Sequence, residues 1–225
     1  MKKIVVLSGA GISQESGIKT FRDTDGLWEN HSIDEVATYE AWEKNPHLVL
    51  KFYNDRRRQL FDVQPNLAHR LLANLEKKYS IQIITQNVDD LHERAGSNKV
   101  LHLHGELKKV RSTKDPNLIY FTEKDTLWGD TCELGSQLRP HIVWFGESVP
   151  LLEEAAKMVE NADHVVVVGT SLQVYPAAGL MMYASPNAKV FYIDPNPAKV
   201  NTNVHVIAES ASVGVQNYIE NYLSI

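Results

Sequence analysis

The chain has 225 residues, 43% hydrophobic and 23% charged, with a formal net charge of −5; that length buries a large core in one domain with room for a smaller appended lobe. Acids and bases are mixed along it, so no basic stripe or membrane-length apolar run points to a nucleic-acid or membrane partner. The lone Cys132 excludes an internal disulfide and fits a reducing, cytoplasmic compartment, and the apolar stretch after Met1-Lys2-Lys3 ends at Ser8, too short for a signal sequence.

Ile4, Val5, Val6 and Leu7 make Lys3 to Ser8 a short buried strand. Gly9-Ala10-Gly11-Ile12-Ser13 follows. Its two glycines let the backbone turn and come close to a ligand, and the helix beyond would aim unpaired N–H groups at an anion. This is the first half of a dinucleotide fingerprint, although Gln14 stands where the third glycine belongs and Gly17 comes too late, so an ordinary strand-to-helix turn is an alternative reading. Helices are predicted at Pro46 to Phe61, Ala68 to Lys78, Leu151 to Asn161, Ala177 to Tyr183 and Val213 to Leu223. Further strands are predicted at Ile81 to Thr85, Val100 to Leu103, Ile142 to Trp144, His164 to Val168 and Val190 to Ile193. The alternation predicts an α/β fold, a Rossmann-like parallel sheet with helices on both faces. Two stretches, 30–65 and 108–139, interrupt it and predict a small inserted lobe, leaving 1–29, 66–107 and 140–225 to a large lobe of one catalytic domain.

Three more strand ends carry groups suited to a nucleotide. Thr85-Gln86-Asn87-Val88-Asp89 offers amides and a carboxylate, Gly169-Thr170-Ser171 a second close backbone approach with two hydroxyls, and Asp194 an acid placed to accept from ribose hydroxyls. Each alone also reads as a turn or a helix cap. Four in one chain favour a dinucleotide site.

The stretches GAGISQESGI (Gly9 to Ile18), TFRDTDGLW (Thr20 to Trp28), TQNVD (Thr85 to Asp89), HLHGEL (His102 to Leu107), VWFGE (Val143 to Glu147) and GTS (Gly169 to Ser171) resemble, in order, the motifs of the sirtuins, NAD-dependent protein lysine deacylases. The resemblance implies that an acyl-lysine amide oxygen attacks the ribose carbon bearing nicotinamide, and that a base then takes a proton from a neighbouring ribose hydroxyl. His104 matches that base, and imidazole suits it because its unperturbed pKa of about 6.5 lies near working pH. His102, two residues away, shares its face in an extended segment. A metal held by the two histidines is a competing reading, weakened by the lack of a nearby third ligand and by Gly105.

The resemblance further implies that Gly9, Ala10, Gly11, Ile12 and Ser13 hold NAD together with Phe21, Arg22 and Trp28 of the cofactor loop, Gln86, Asn87, Val88 and Asp89 around ribose and nicotinamide, and Gly169, Thr170 and Ser171 at the phosphates. Asp194, Pro195 and Asn196 would lie beside adenosine, where the family often has Asn in place of Asp194, and Ala211 would line the adenine. A peptide substrate would add as a strand between Val143, Trp144, Phe145, Gly146 and Glu147 on one side and Leu172 to Tyr175, including Val174, on the other.

Tyr53 and Arg56, spaced i, i+3 on the helix from Pro46, match the pair that favours succinyl or malonyl groups in class III sirtuins. The alternative is a solvated basic face, since Arg56, Arg57 and Arg58 are consecutive and Asp55 is a ready partner. Most sirtuins bind zinc through four cysteines, the first of which would fall near Ser112; with Cys132 the only thiol, no zinc is expected. The expected activity is removal of succinyl, malonyl or acetyl groups from lysine in proteins or peptides, with release of nicotinamide and O-acyl-ADP-ribose. Alternatives are an NAD-dependent protein ADP-ribosyltransferase and a non-catalytic NAD or ADP-ribose module. The sequence sets no oligomeric state, and a monomer suffices for this chemistry.

Overall fold

A computed structural model describes residues 1–19 and 30–223. The first half contains β1 (Lys3–Ser8), the single turn α1 (Gly11–Gln14), α2 (Ile33–Val36), α3 (Tyr39–Lys44), α4 (Pro46–Asp62), α5 (Leu67–Leu75), β2 (Ser80–Thr85), α6 (Leu91–Arg94) and β3 (Val100–His102). The second contains β4 (Gly105–Ser112), β5 (Ile119–Phe121), β6 (Leu138–Ile142), α7 (Leu152–Glu160), β7 (His164–Val168), a 3₁₀ helix (Ala177–Tyr183), β8 (Lys189–Ile193), β9 (Val204–Ile207) and α8 (Ala211–Tyr222).

Six strands form one parallel sheet in the order β3-β2-β1-β7-β8-β9. The apolar runs of β1 and β7 are continuous because both faces of the sheet are covered. Ile4, Val6, Val166 and Phe191 turn to one face, in a cluster with Leu72 of α5 and Val215 and Tyr218 of α8. Val5, Leu7, Val165 and Tyr192 turn to the other, with Ala155 and Val159 of α7 and Leu180 of the 3₁₀ helix. From β1 the chain winds outward through β2 and β3, then returns to lay β7, β8 and β9 on the opposite side. The strand order therefore reverses between β1 and β7, and the carboxyl ends of those strands frame the crevice where such sheets take ligands.

A second, antiparallel sheet has the order β5-β4-β6. Against it packs a third apolar cluster that includes Trp42, Leu50, Phe52 and Tyr53 with Leu107, Ile142 and Trp144. Here the structure departs from the expected parallel strand at Ile142 to Trp144. The strand is Leu138–Ile142, it pairs antiparallel with β4, and it tolerates Pro140 because β6 is an edge. β4, β5 and the edge strand β9 add to the expected strands: β4 mixes lysines with apolar residues, β5 is three residues long, and His205 interrupts β9. Ala177–Tyr183 forms as a 3₁₀ rather than an α-helix, and α5 stops at Leu75.

α4 is started by the Asn45 side chain, which accepts from Leu48 N at 3.1 Å, and by Pro46 in its first turn. The three consecutive arginines on it do not form one solvated face. Arg57 is buried and donates to Leu107 O (2.7 Å), Asn54 Oδ1 (2.8 Å) and Lys124 O (2.9 Å), tying the helix to β4 and to the 122–126 turn. Arg58 is exposed and pairs with Asp55 and Asp125. Arg57→Ala should therefore cost about 2–4 kcal/mol in urea unfolding, since it leaves Leu107 O without its donor, removes the bonds to Asn54 Oδ1 and Lys124 O and takes out the packed stem, whereas Arg58→Ala should stay within about 1 kcal/mol. Equal losses would mean that Arg57 does not hold these elements together.

Candidate active site

At the β1/β7 switch point two backbones touch. Gly9 N donates to Val168 O at 3.0 Å and Gly11 N to Gly169 O at 2.7 Å. A Cβ on Gly11 would lie 2.8 Å from Gly169 Cα, and one on Gly169 would lie 2.3 Å from Ile12 N. Gly169 also has φ +64°, so glycine is required there on both counts. One expectation fails at this point. α1 is a single turn, and the amides of Gly11, Ile12 and Ser13 bond to Gly169 O, Gly9 O and Ala10 O, so they are not left aimed at an anion. The cradle is backbone brought close to the crevice rather than a helix end.

The next loop is laced to this turn. Asn87 Nδ2 donates to Gly9 O (3.2 Å) and Ser13 Oγ (3.0 Å), and Ser13 Oγ donates to Asp89 Oδ2 (2.9 Å). Burial of Asp89 raises its pKa in spite of the bonds from Leu91 N and Ser13. Gln86 Nε2 reaches Thr170 Oγ1 at 3.4 Å, across the switch point, and Val88 packs against the third apolar cluster. Ser171 is half-buried beside them. The Asp194 carboxylate, at the end of β8, accepts from Asn196 N at 2.9 Å, while Pro195 and Asn196 are exposed. Gly9 to Ser13, Gln86 to Asp89, Gly169 to Ser171 and Asp194 thus gather at one edge of the sheet. Ala211, expected against adenine, is instead buried in the core cluster at the start of α8. Phe21, Arg22 and Trp28 lie outside the described residues.

His102 ends β3 and His104 lies in the turn that follows it. The His104 Nδ1 is 3.1 Å from Gln86 O and the His102 Nδ1 is 3.1 Å from Asn87 O. A carbonyl only accepts, so each Nδ1 carries a proton and neither is open to a metal. His104 is left with Nε2 as a lone pair, and burial lowers its pKa, keeping the ring neutral near pH 7. His102 differs. Burial would lower its pKa as well, but the bond from Nε2 to Glu93 Oε1 at 2.7 Å outweighs that and raises it.

Of the acyl pair, Tyr53 is fully buried with its hydroxyl 3.0 Å from Trp144 Nε1, and burial raises its pKa, so it stays protonated. Arg56 is half-buried, its Nε has no partner among the described residues, and its guanidinium lies 5.2 Å from the Phe52 ring centroid. Asp55, offered as its partner in the basic-face reading, pairs instead with Lys51 and Arg58.

The expected peptide edges are not regular strands. Val143 N, Phe145 N and Trp144 N already donate to His104 O, Ala37 O and Glu147 Oε2, and Trp144 O accepts from Glu147 N, so these three residues have no amide to offer an added strand. Trp144 is buried beneath Arg139, whose guanidinium sits 3.4 Å from the ring centroid, and Glu147 turns inward to accept from Arg139 Nη1 at 2.8 Å. Phe145 and Gly146 face outward. On the other side Leu172 has φ +56°, and Val174 O accepts from Ala178 N at 2.9 Å. Near Ser112, where a zinc ligand would fall in relatives of the usual kind, Ser112 Oγ and Ser136 Oγ are 2.7 Å apart and Cys132 Sγ is 3.1 Å from Ser136 Oγ. No group of three or more His, Cys, Asp or Glu suited to a metal occurs among the described residues.

Sequence reasoning missed several partners of these groups. Glu93, Arg139 and Arg111 meet the site only through the fold. So do His92, whose Nε2 is 2.9 Å from Ser8 Oγ behind the loop, and His69, whose ring centroid is 4.8 Å from that of His92. Only Glu93 carried any usable signal, as an acid near two histidines, and nothing local selected it over its neighbours.

The doubly wound parallel sheet, with its polar groups collected at the switch point, defines a nucleotide-binding α/β protein. Residues 9–176 match the Sir2 family model, and the chain belongs to the Sir2 family. It is 62% identical over 219 residues to an NAD-dependent protein deacylase of Helicobacter pylori, covering 96% of each chain. A protein of the same name from Bacteroides thetaiotaomicron is 52% identical over 224 residues, again 96% of each. Among solved structures, a Sir2 homologue in complex with NAD matches with TM-score 0.88 at 40% identity, over 99% of this chain and 91% of that one. A Sir2 protein with a deacetylated p53 peptide and 3′-O-acetyl ADP-ribose matches with TM-score 0.83 at 31% identity, over 99% and 94%. Among the described residues no helix is long and apolar enough to cross a membrane.

The buried histidines have a measurable consequence. Burial lowers His69 to about 4 and His92 well below its usual value. A ring whose folded pKa is depressed stabilises the fold above its unfolded pKa of about 6.5, and that contribution is lost as pH falls toward the folded value. At pH 5 His69 alone should withdraw up to about 2 kcal/mol, so the urea midpoint should fall between pH 7 and pH 5. A level midpoint would mean these rings are not held neutral by the fold.

Proposed function

The chain is an NAD-dependent protein deacylase; we propose that His104 is its general base and that it prefers succinyl or malonyl over acetyl groups on lysine. The reading is carried by one observation: His104 Nδ1 is committed to Gln86 O, leaving a neutral imidazole whose only basic lone pair is on Nε2. NAD, when bound, supplies the ribose carbon that the acyl amide oxygen attacks and the nicotinamide that leaves. The glycine cradle fits a pyrophosphate brought against backbone, since a Cβ at Gly9, Gly11 or Gly169 would already meet its neighbours at under 3 Å. Asn87 and Asp89 are buried, mutually braced and polar, which suits them to orient a ribose and a carboxamide. Gln86 and Thr170 bridge the two halves of the crevice, and the Asp194 carboxylate can accept from adenosine hydroxyls. In this reading 30–65 and 108–139 form the small lobe.

Acidic acyl preference is supported by Tyr53 and Arg56. The Tyr53 hydroxyl accepts from Trp144 and is held protonated, and Arg56 on the same helix supplies a guanidinium; a carboxylate is the acyl terminus suited to a neutral hydroxyl and a guanidinium together. Substrates would be acyl-lysine proteins or peptides engaged through backbone at Val143 to Glu147 and at Leu172 to Tyr175. The single cysteine supports a cytoplasmic site of action.

His104→Ala should keep NAD binding and lose deacylation by at least about 100-fold, followed by mass spectrometry of NAD with succinylated and acetylated peptides. Its lowered pKa places the acid limb of wild-type kcat/KM below about pH 6.5. Undiminished turnover would remove His104 from the mechanism. Transfer of ADP-ribose to protein without loss of an acyl group would replace deacylation with the alternative. Arg56→Met should reduce activity on succinyl-lysine at least about tenfold more than on acetyl-lysine; equal losses would make Arg56 structural.

A further inference from the structure

The loop that carries Asn87 and Asp89 has no strand partner. Its successive peptide carbonyls hang on the chain from the end of β3 into β4: Gln86 O on the His104 ring, Asn87 O on the His102 ring and Val88 O on Leu107 N at 2.8 Å. Of these three supports only the His102 ring extends further, to Glu93 Oε1 in α6 at 2.7 Å. Both of its partners are acceptors, so with the carboxylate ionised the ring must carry two protons. His102 is 9% exposed, and Glu93 also closes the far end of the same loop. One buried ring therefore ties the beginning of the loop to the helix that ends it.

We propose that the Glu93–His102 pair is a positioning device for the cofactor loop: it fixes the Asn87 peptide, and through it the groups that meet NAD. The proposal rests on the reading that Asn87 and Asp89 hold NAD. The Asn87 side chain donates to Gly9 O and to Ser13 Oγ, and Ser13 in turn donates to Asp89. Rotation of the Asn87 peptide would displace all three side chains together. The pair makes no hydrogen bond, among the described residues, to Tyr53, Arg56, 143–147 or 172–175. Its loss should thus be felt by NAD and not by the acyl peptide. His102 touches no reacting atom in this account, and its neighbour His104 keeps its own bond to Gln86 O.

The test is steady-state kinetics on the whole chain, varying NAD and acyl peptide in turn, for Glu93→Ala, His102→Leu, their double variant, Glu93→Gln and Asn87→Ala. Each single loss of the charged hydrogen bond should raise KM for NAD roughly tenfold, with KM for the peptide within about twofold. The double variant should be no worse than the poorer single, because both remove one interaction. Glu93→Gln, whose amide can donate to a neutral Nε2, should recover most of the NAD affinity. Glu93 is 41% exposed at its side chain, so Glu93→Ala keeps the test readable if His102→Leu does not fold. If Asn87→Ala raises KM for NAD and the pair variants do not, the positioning role is wrong; the same holds if both KM values and the melting temperature change together. If Asn87→Ala itself leaves KM for NAD unchanged, the cofactor reading falls, and the proposal with it.

Discussion

A carbonyl oxygen has no proton to give, and the chemistry of this site follows from that. By facing the Gln86 and Asn87 carbonyls, the His104 and His102 rings are each obliged to hold a proton on Nδ1. What the second nitrogen meets then decides the rest. A carboxylate opposite His102 makes that ring a cation, and burial without a counter-charge leaves His104 a neutral base. Two identical side chains two residues apart are thereby driven to opposite protonation states, the kind of divergence by which one fold separates structural from catalytic duties.

The supporting frame is equally economical in its causes. The reversal of strand order at β1/β7 brings the ends of those strands side by side, and the loops leaving them can touch only if side chains are missing. Gly9, Gly11 and Gly169 are the missing side chains. Because Gly11 N is spent on Gly169 O, the contact locks the two halves of the sheet together at the place where a ligand would enter. A rigid floor of this sort lets the polar groups above it be few. Asn87, Ser13 and Asp89 brace one another, so their directions are set before any ligand arrives.

Legibility in the sequence followed burial. β1, β7 and β8 were readable because strands covered on both faces show unbroken apolar runs, and the pattern at Lys3 to Ser8 and His164 to Val168 matched the observed ends. β9 is four residues long, with His205 interrupting its valines and His205 and Val206 exposed, and β4 mixes lysines with apolar residues, so neither announced itself. The segment around Ile142 showed a strand but not its direction, since periodicity is the same in parallel and antiparallel pairing. Motif residues at strand ends were legible as chemistry, and four of those ends do converge. Their braces were not. Glu93 reaches His102 across a helix and a turn, and Arg139 reaches Glu147 across a hairpin end, distances in sequence at which no local spacing rule operates.

The segment Val143 to Glu147 carries contacts that its sequence does not announce. As a sequence it reads as an exposed strand edge with an acid at its end. In the fold the acid is turned inward, where partial burial would raise its pKa and the bonds from Arg139 and Trp144 N outweigh it, leaving a paired carboxylate that shapes the turn. Arg139 lies over the Trp144 ring, and Trp144 donates to Tyr53. A single chain of contacts therefore runs from the turn beside His104 to the tyrosine expected to recognise the acyl group. What the motif holds in place lies behind the surface, where Trp144 and Glu147 are engaged by the protein itself, while Phe145 and Gly146 face outward.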